Sequence, residues 1–166
     1  MKKNLKAFTL IELLIVIIII GIIISSVSFN LKPNTLALEK DRIKQYFMYA
    51  DNIGLKWGGY NPSKSKVAAV CFEVNSSNNS VSAYIQKWDN SKEFLKDPTN
   101  QNKEINNTKF QSNISATFTK ICFSPNGDLF ENNLSMQNLI KTPQKITLSD
   151  SKREENLSIE PSGAIY

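Results

Sequence analysis

From Leu13 the chain runs LLIVIIIIGIIISSVSFNL with no charged side chain until Lys32. Its first half has no polar face at helical period, which predicts a helix apolar all round and unsuited to the surface of an ordinary globular domain. Taken over residues 8–29, such a helix is roughly 33 Å long, against a hydrocarbon core of about 30 Å. Lys2, Lys3 and Lys6 precede it. The positive-inside bias therefore sets the N-terminus in the cytoplasm and everything after Lys32 on the far side of the membrane. Ser25, Ser26 and Ser28 offer only a weak secretory cleavage site. One residue breaks the apolar pattern: Glu12, a carboxylate whose placement in a bilayer costs energy and marks it as a functional candidate.

After Pro33 the pattern turns amphipathic. Leu36, Ile43, Phe47, Ala50 and Leu55 recur at near-helical spacing, with Glu39, Lys40, Asp41, Lys44 and Asp51 on other faces, so residues 35–57 predict a helix packed on the domain that follows. Pro33 marks a kink or break before it, and Gly58-Gly59 with Asn61-Pro62 ends it. Strand-like patterns take over from there. Residues 66–74 (KVAAVCFEV) and 81–88 (VSAYIQKW) flank the polar turn NSSNNS and read as a hairpin. Residues 114–123 predict one further strand, 129–130 resume the sheet after a Ser-Pro-Asn-Gly-Asp turn, and 145–148, 157–159 and 163–166 continue the series. Residues 89–107 and 131–144 are polar, Asn-rich and expected as loops. The fold class expected is α+β: a long N-terminal membrane-spanning helix followed by an antiparallel, mostly-β, sandwich-like domain.

The stretch KAFTLIELLIVIIIIGII resembles the N-terminal signature of type IV pilins and of the pseudopilins of type II secretion. The resemblance implies a leader over residues 1–7, cut by a prepilin peptidase between Ala7 and Phe8, with the new Phe8 amine methylated. The residue before the cut is usually Gly in that family and is Ala7 here. It also implies that Glu12, the fifth residue after the cut, pairs with the N-terminal ammonium of a neighbouring subunit, turning a costly charge into an assembly contact. The segments that follow are a filament helix over 8–29, an amphipathic half over 30–57 and a periplasmic β-rich domain over 58–166. CFSPNGDL and ITLSDSKREENLSIEPSGAIY resemble the C-terminal half of the minor pseudopilin H and FimT-like group, although such turns use Pro and Gly for backbone reasons in any β domain. The function implied is a structural subunit of a pseudopilus or pilus in the bacterial inner membrane, including filaments that serve DNA uptake. The partners implied are prepilin peptidase, other pilins and the membrane. The alternatives are a DNA-binding minor pilin and a membrane-anchored periplasmic protein of unrelated activity.

Composition changes this picture in three ways. First, the 166 residues include no His and two Cys, which removes His-based triads and four-ligand zinc sites. No enzyme activity, cofactor or metal is expected. Ser63-Lys64-Ser65-Lys66 matches a Ser-x-x-Lys pair without its companion motifs. Asp97, Asn100, Asn102 and Glu104 lack the glycine turn and acid spacing of a calcium loop. Second, loss of the leader would reduce 20 basic side chains to 17 against 15 acidic ones, and Lys152-Arg153 is followed at once by Glu154-Glu155. Direct nucleic-acid contact, which needs clustered charge, is not expected.

Third, Cys71 and Cys122 fall in predicted strands on the oxidising side of the membrane. Two buried thiols would fit the pattern, but the compartment favours a disulfide, which would stabilise the fold by roughly 4 kcal/mol through loop closure. Six Asn-x-Ser/Thr sites occur, at Asn75, Asn78, Asn106, Asn113, Asn133 and Asn156. Four carry an acid two positions upstream, namely Glu73, Glu104, Glu131 and Glu154 before Asn75, Asn106, Asn133 and Asn156. Chance produces that enrichment roughly once in a thousand, and the pattern resembles the extended acidic sequon of bacterial periplasmic N-glycosylation.

Overall fold

The computed structural model describes residues 10–28, 34–56, 67–87, 89–124, 126–132 and 136–166. The expected leader, Ala7 and Phe8, Pro33, the Ser63–Lys66 motif and the Asn133 sequon lie outside the described residues. The chain divides into two units, Met1–Asn34 and Thr35–Tyr166.

The described part of the first unit is one helix, α1 (Leu10–Ser28). Leu and Ile fill it, and the side chains from Leu10 to Ile23 are exposed on every face. A helix this apolar has no face of its own to turn toward water.

The second unit begins with α2 (Thr35–Lys56). Its buried face is Leu36, Ile43, Tyr46, Phe47, Ala50 and Gly54. Leu55, expected in that stripe, is instead 45% exposed, and Gly54 takes the inward position. The reason is close approach: a Cβ on Gly54 would stand 2.7 Å from the Phe123 Cβ, so only glycine lets the helix lie this near the sheet.

The strands are β1 (Val67–Asn75), β2 (Ser80–Lys87), β3 (Lys92–Phe94), β4 (Lys96–Asp97), β5 (Asn100–Glu104), β6 (Thr108–Lys109), β7 (Asn113–Ala116), β8 (Lys120–Phe123), β9 (Leu129–Glu131), β10 (Gln144–Ser149) and β11 (Glu154–Ile159). A six-stranded sheet has the order β3-β2-β1-β8-β9, with β6 also pairing β2. A three-stranded sheet has the order β11-β10-β7, and β4 and β5 form a two-stranded ribbon. Every ladder is antiparallel. The last residues extend the smaller sheet, with Ile165 bridging Ile159 and Ser158 exchanging backbone bonds with Tyr166.

Two sequence expectations are corrected here. Residues 114–123 are two strands in different sheets: the Thr117 N–H bonds to Lys145 of β10, whereas the Thr119 carbonyl accepts from Val74 of β1. Between them Phe118 is buried, which keeps the apolar period running while the chain changes sheets. Residues 89–107 hold β3, β4 and β5 where a loop was expected, because Leu95 and Ile105 are buried and tied by backbone bonds to each other and to Ala83 of β2.

The period-2 alternation of β1 divides the apolar residues between two faces. Val70, Phe72 and Val74 join the main core with α2 and the smaller sheet, where the Phe47 ring lies edge-on to Phe72 at 5.5 Å and to Phe123 at 5.1 Å. Ala69 and Cys71 point to the opposite face, where they form a second cluster with Tyr84, Cys122 and Phe94. Cys71 and Cys122 are register partners on β1 and β8, with Cα atoms 4.0 Å apart, and are joined by a disulfide.

Candidate functional site

Glu12 lies in the first turn of α1, where the helix dipole and the unpaired N–H groups of a helix start favour a carboxylate. Around it Leu10, Ile11, Leu13 and Leu14 are exposed, so the acid sits in an apolar surface. Among the described residues no helix is long and apolar enough to cross a membrane. The 19 residues of α1 rise about 28 Å, just short of a hydrocarbon core of about 30 Å, and the residues counted on either side of it from sequence lie outside the described ones.

In the second unit the polar side chains hold the fold together. Asp97, exposed by only 3%, accepts hydrogen bonds from the Tyr46 hydroxyl at 2.5 Å and from the Thr99 hydroxyl and N–H at 2.6 and 2.8 Å. Arg42 Nη2 lies 3.2 Å from the same carboxylate, and Arg42 Nε donates to the Tyr46 hydroxyl at 2.7 Å. Burial alone would raise the Asp97 carboxyl, but the bonds from Thr99, Tyr46 and Arg42 outweigh it and hold the group well below the usual carboxylate range. Burial and the bond to Asp97 push the Tyr46 phenol up to about 12. Asp97 falls in the polar, Asn-rich stretch expected as a loop, so this cluster is not legible in the sequence there. The one available signal was Arg42 and Tyr46 four residues apart, which puts two long polar side chains beside the apolar stripe of a helix.

Glu39 makes a second clasp. Its carboxylate accepts from the N–H groups of Gln111 and Ser112, at 2.8 and 3.0 Å, and from the Ser112 hydroxyl. Lys40 pairs with Glu155 of β11 at 3.0 Å. On the outer face of the larger sheet, Glu73 accepts from the Tyr84 hydroxyl at 2.9 Å and from Lys92 at 3.0 Å.

These bonds position elements of the fold. Among the described residues no buried side-chain nitrogen or oxygen lacks a partner, and no group of three metal-ligating side chains converges. Asn100, Asn102 and Glu104 are exposed along β5 whereas Asp97, the ladder partner of Asn100, is buried, and Glu104 pairs with Lys96 at 2.9 Å. The basic pair near the C-terminus is interleaved with acids: Arg153 contacts Asp150 at 3.4 Å, and Lys145 lies 4.0 Å from Glu154.

The described sequons fall in three settings. Asn75 closes β1 half-buried, its side-chain oxygen accepting from the Ser77 N–H at 3.1 Å. Asn156 lies within β11, with its oxygen bonded to the Thr147 hydroxyl at 2.8 Å. Asn106 is exposed in the bend between β5 and β6.

Residues 2–28 match the family model of the prokaryotic N-terminal methylation motif. That stretch includes Ala7, Phe8 and Glu12 and is the signal carried by type IV pilins and pseudopilins, one that implies processing by prepilin peptidase, N-terminal anchoring and assembly with other pilins. No curated protein and no solved structure matches the chain.

Proposed function

We propose that the chain is a minor pseudopilin, a structural subunit of a short filament of the type II secretion or type IV pilus class. The observation that carries this reading is the methylation motif over residues 2–28, which contains the whole of α1, a helix with no polar face. Prepilin peptidase removes residues 1–7 and methylates the amine of Phe8. The helix then holds the subunit in the inner membrane as a single pass, N-terminus in the cytoplasm, with the β-rich domain in the periplasm. On assembly Glu12 pairs with the Phe8 ammonium of a neighbour. Two opposite charges that are costly in lipid become a contact made only between subunits, which gives the filament a register.

Support from the second unit is of another kind. Asp97, Glu39 and Lys40 tie α2 to the strands, which suits a part whose role is to be displayed. Near the C-terminus the described basic side chains are interleaved with acids, which favours an architectural role over direct DNA capture. The reading within that class is the pseudopilin H and FimT-like group, for which the resemblance of the segments at 122–129 and 146–166 is the support.

Intact mass and N-terminal sequencing of the protein from native membranes test this. The expected product starts at methylated Phe8 and depends on prepilin peptidase. An uncut Met1, or a product starting beyond Ser28, would remove the filament role.

A further inference from the structure

We propose that Asn106 is an N-glycosylation site, modified in the periplasm by an oligosaccharyltransferase that reads an acidic residue two positions upstream. The inference rests on the periplasmic placement argued above. It comes from a difference among sequons that are equivalent in sequence. In each, Glu is followed two residues later by Asn and two residues after that by Ser or Thr. A transferase must take the Asn side chain into its own active site, so a sequon whose Asn itself lies within a ladder is a poor acceptor even when that Asn is exposed.

Asn156 is locked in that way. It is paired with Thr147 on β10, and the next residue but one, Ser158, exchanges backbone bonds with Tyr166 on the other side. Its neighbours Leu157 and Ile159 are fully buried, so freeing the segment would open the core. Asn75 is constrained differently. It pairs with Ser80, its carbonyl oxygen is held by Ser77, and Glu73 is engaged by Tyr84 and Lys92.

Around Asn106 the restraints reach only the flanks: Glu104 pairs with Lys96 on β4 and Thr108 with Val81 on β2, while Asn106 and Asn107 form the bend between the two strands. Glu104 and Asn106 are exposed, and the chain turns at Asn106-Asn107, with Asn107 at a φ of 49°. Ile105 before the bend and the Asn107 N–H on the Ser82 hydroxyl, at 2.9 Å, anchor its base. Among the described residues the Asn106 side chain makes one hydrogen bond, in which its oxygen accepts from the exposed Asn107 amide at 3.2 Å. Asn106 is therefore an exposed residue on a bend, its segment already turned rather than extended.

In the reaction the Asn106 side-chain nitrogen bonds to the anomeric carbon of a polyprenyl-diphosphate-linked oligosaccharide. The bond from that carbon to the diphosphate oxygen breaks, polyprenyl diphosphate leaves with the electron pair, and the nitrogen gives up one proton.

The test is the full chain expressed with prepilin peptidase, an acidic-sequon oligosaccharyltransferase and its lipid-linked oligosaccharide, followed by intact mass and glycopeptide mapping. A gain of one glycan on the Asn106 peptide is expected, lost in Asn106→Gln and in Glu104→Gln. It persists in Asn75→Gln, Asn133→Gln and Asn156→Gln. The state of Cys71 and Cys122 and the N-terminus are read on the same molecules. Processed, disulfide-bonded chains without glycan overturn this proposal and leave the filament reading standing. Glycan on other sequons but not on Asn106 overturns the site assignment. Unprocessed chains with free thiols overturn both readings.

Discussion

Helices α1 and α2 have similar lengths, 19 and 22 residues, and are stabilised by opposite means. Helix α2 is amphipathic, buries Leu36, Ile43, Tyr46, Phe47 and Ala50, and is tied to the strands by Asp97, Glu39 and Lys40. Helix α1 exposes leucine and isoleucine on all sides from Leu10 to Ile23. One helix is completed by its own chain. The other is apolar on every described face. Apolar content alone therefore does not say what a helix packs against; the distribution of polar residues around it does.

The comparison breaks most completely if the two units are separated. Deleting residues 1–34 should abolish membrane association while residues 35–166 unfold cooperatively and retain the Cys71–Cys122 bond, as read by fractionation and thermal circular dichroism. A fragment that does not fold would show that α2 and the sheets depend on α1. Within α1, Glu12→Gln should leave leader removal intact and reduce recovery in cross-linked filaments by at least about tenfold, the factor equivalent to roughly 1.4 kcal/mol of a lost intramembrane charge contact. The thermal midpoint of the fragment gives no readout of Glu12, so that loss would report assembly.

On the α2 side, the largest effect expected is from Phe47→Ala, which empties the space between Phe72 and Phe123 and should cost about 3–5 kcal/mol in a denaturant titration. An effect under about 1 kcal/mol would mean that the helix is not held by this ring. Replacing Cys71 and Cys122 together by Ala should cost up to about 4 kcal/mol by the chain-entropy model, for a bond spanning 51 residues of sequence. The same loss should follow reduction of the native protein, without change in the larger sheet.

Asp97→Asn gives the smallest and most diagnostic shift, about 1–3 kcal/mol at neutral pH. The folded carboxyl is held below its unfolded value of about 3.9, so its contribution is complete above that value and is lost as pH falls through it toward the folded pKa. Stability curves of the native and Asp97→Asn proteins should therefore converge below about pH 4. Parallel curves would mean that the carboxylate charge is not what ties β4 to α2.

Local patterns in the sequence were read correctly where one element carries its own period. The stripe of Ile43, Phe47 and Ala50, the β1–β2 hairpin and the β10 and β11 strands are of this kind. Reading failed where identity depends on a distant partner. The run Ile114, Phe118, Ile121 looks like one strand because both of its halves face the same core, although they pair with β10 and β8's neighbour β1 respectively. The polar run 89–107 looks like loop because ladder pairing uses backbone groups and needs no apolar side chain in β5, all of whose residues are exposed.

The sequence by itself determined the motif over residues 2–28, the acid set into an apolar helix, and the change from helical to strand period near Gly58, since each is a property of neighbouring residues. Only the tertiary structure decided that Cys71 meets Cys122, that Asp97 is buried under Tyr46, and that of similar sequons Asn106 stands on a turn while Asn156 lies in a sheet. Strand register sets those outcomes, and for the disulfide and for Asp97 the contacts cross 51 residues of sequence. Bringing such residues together costs chain entropy that is offset only when the whole core forms at once, so no short window of sequence contains the answer.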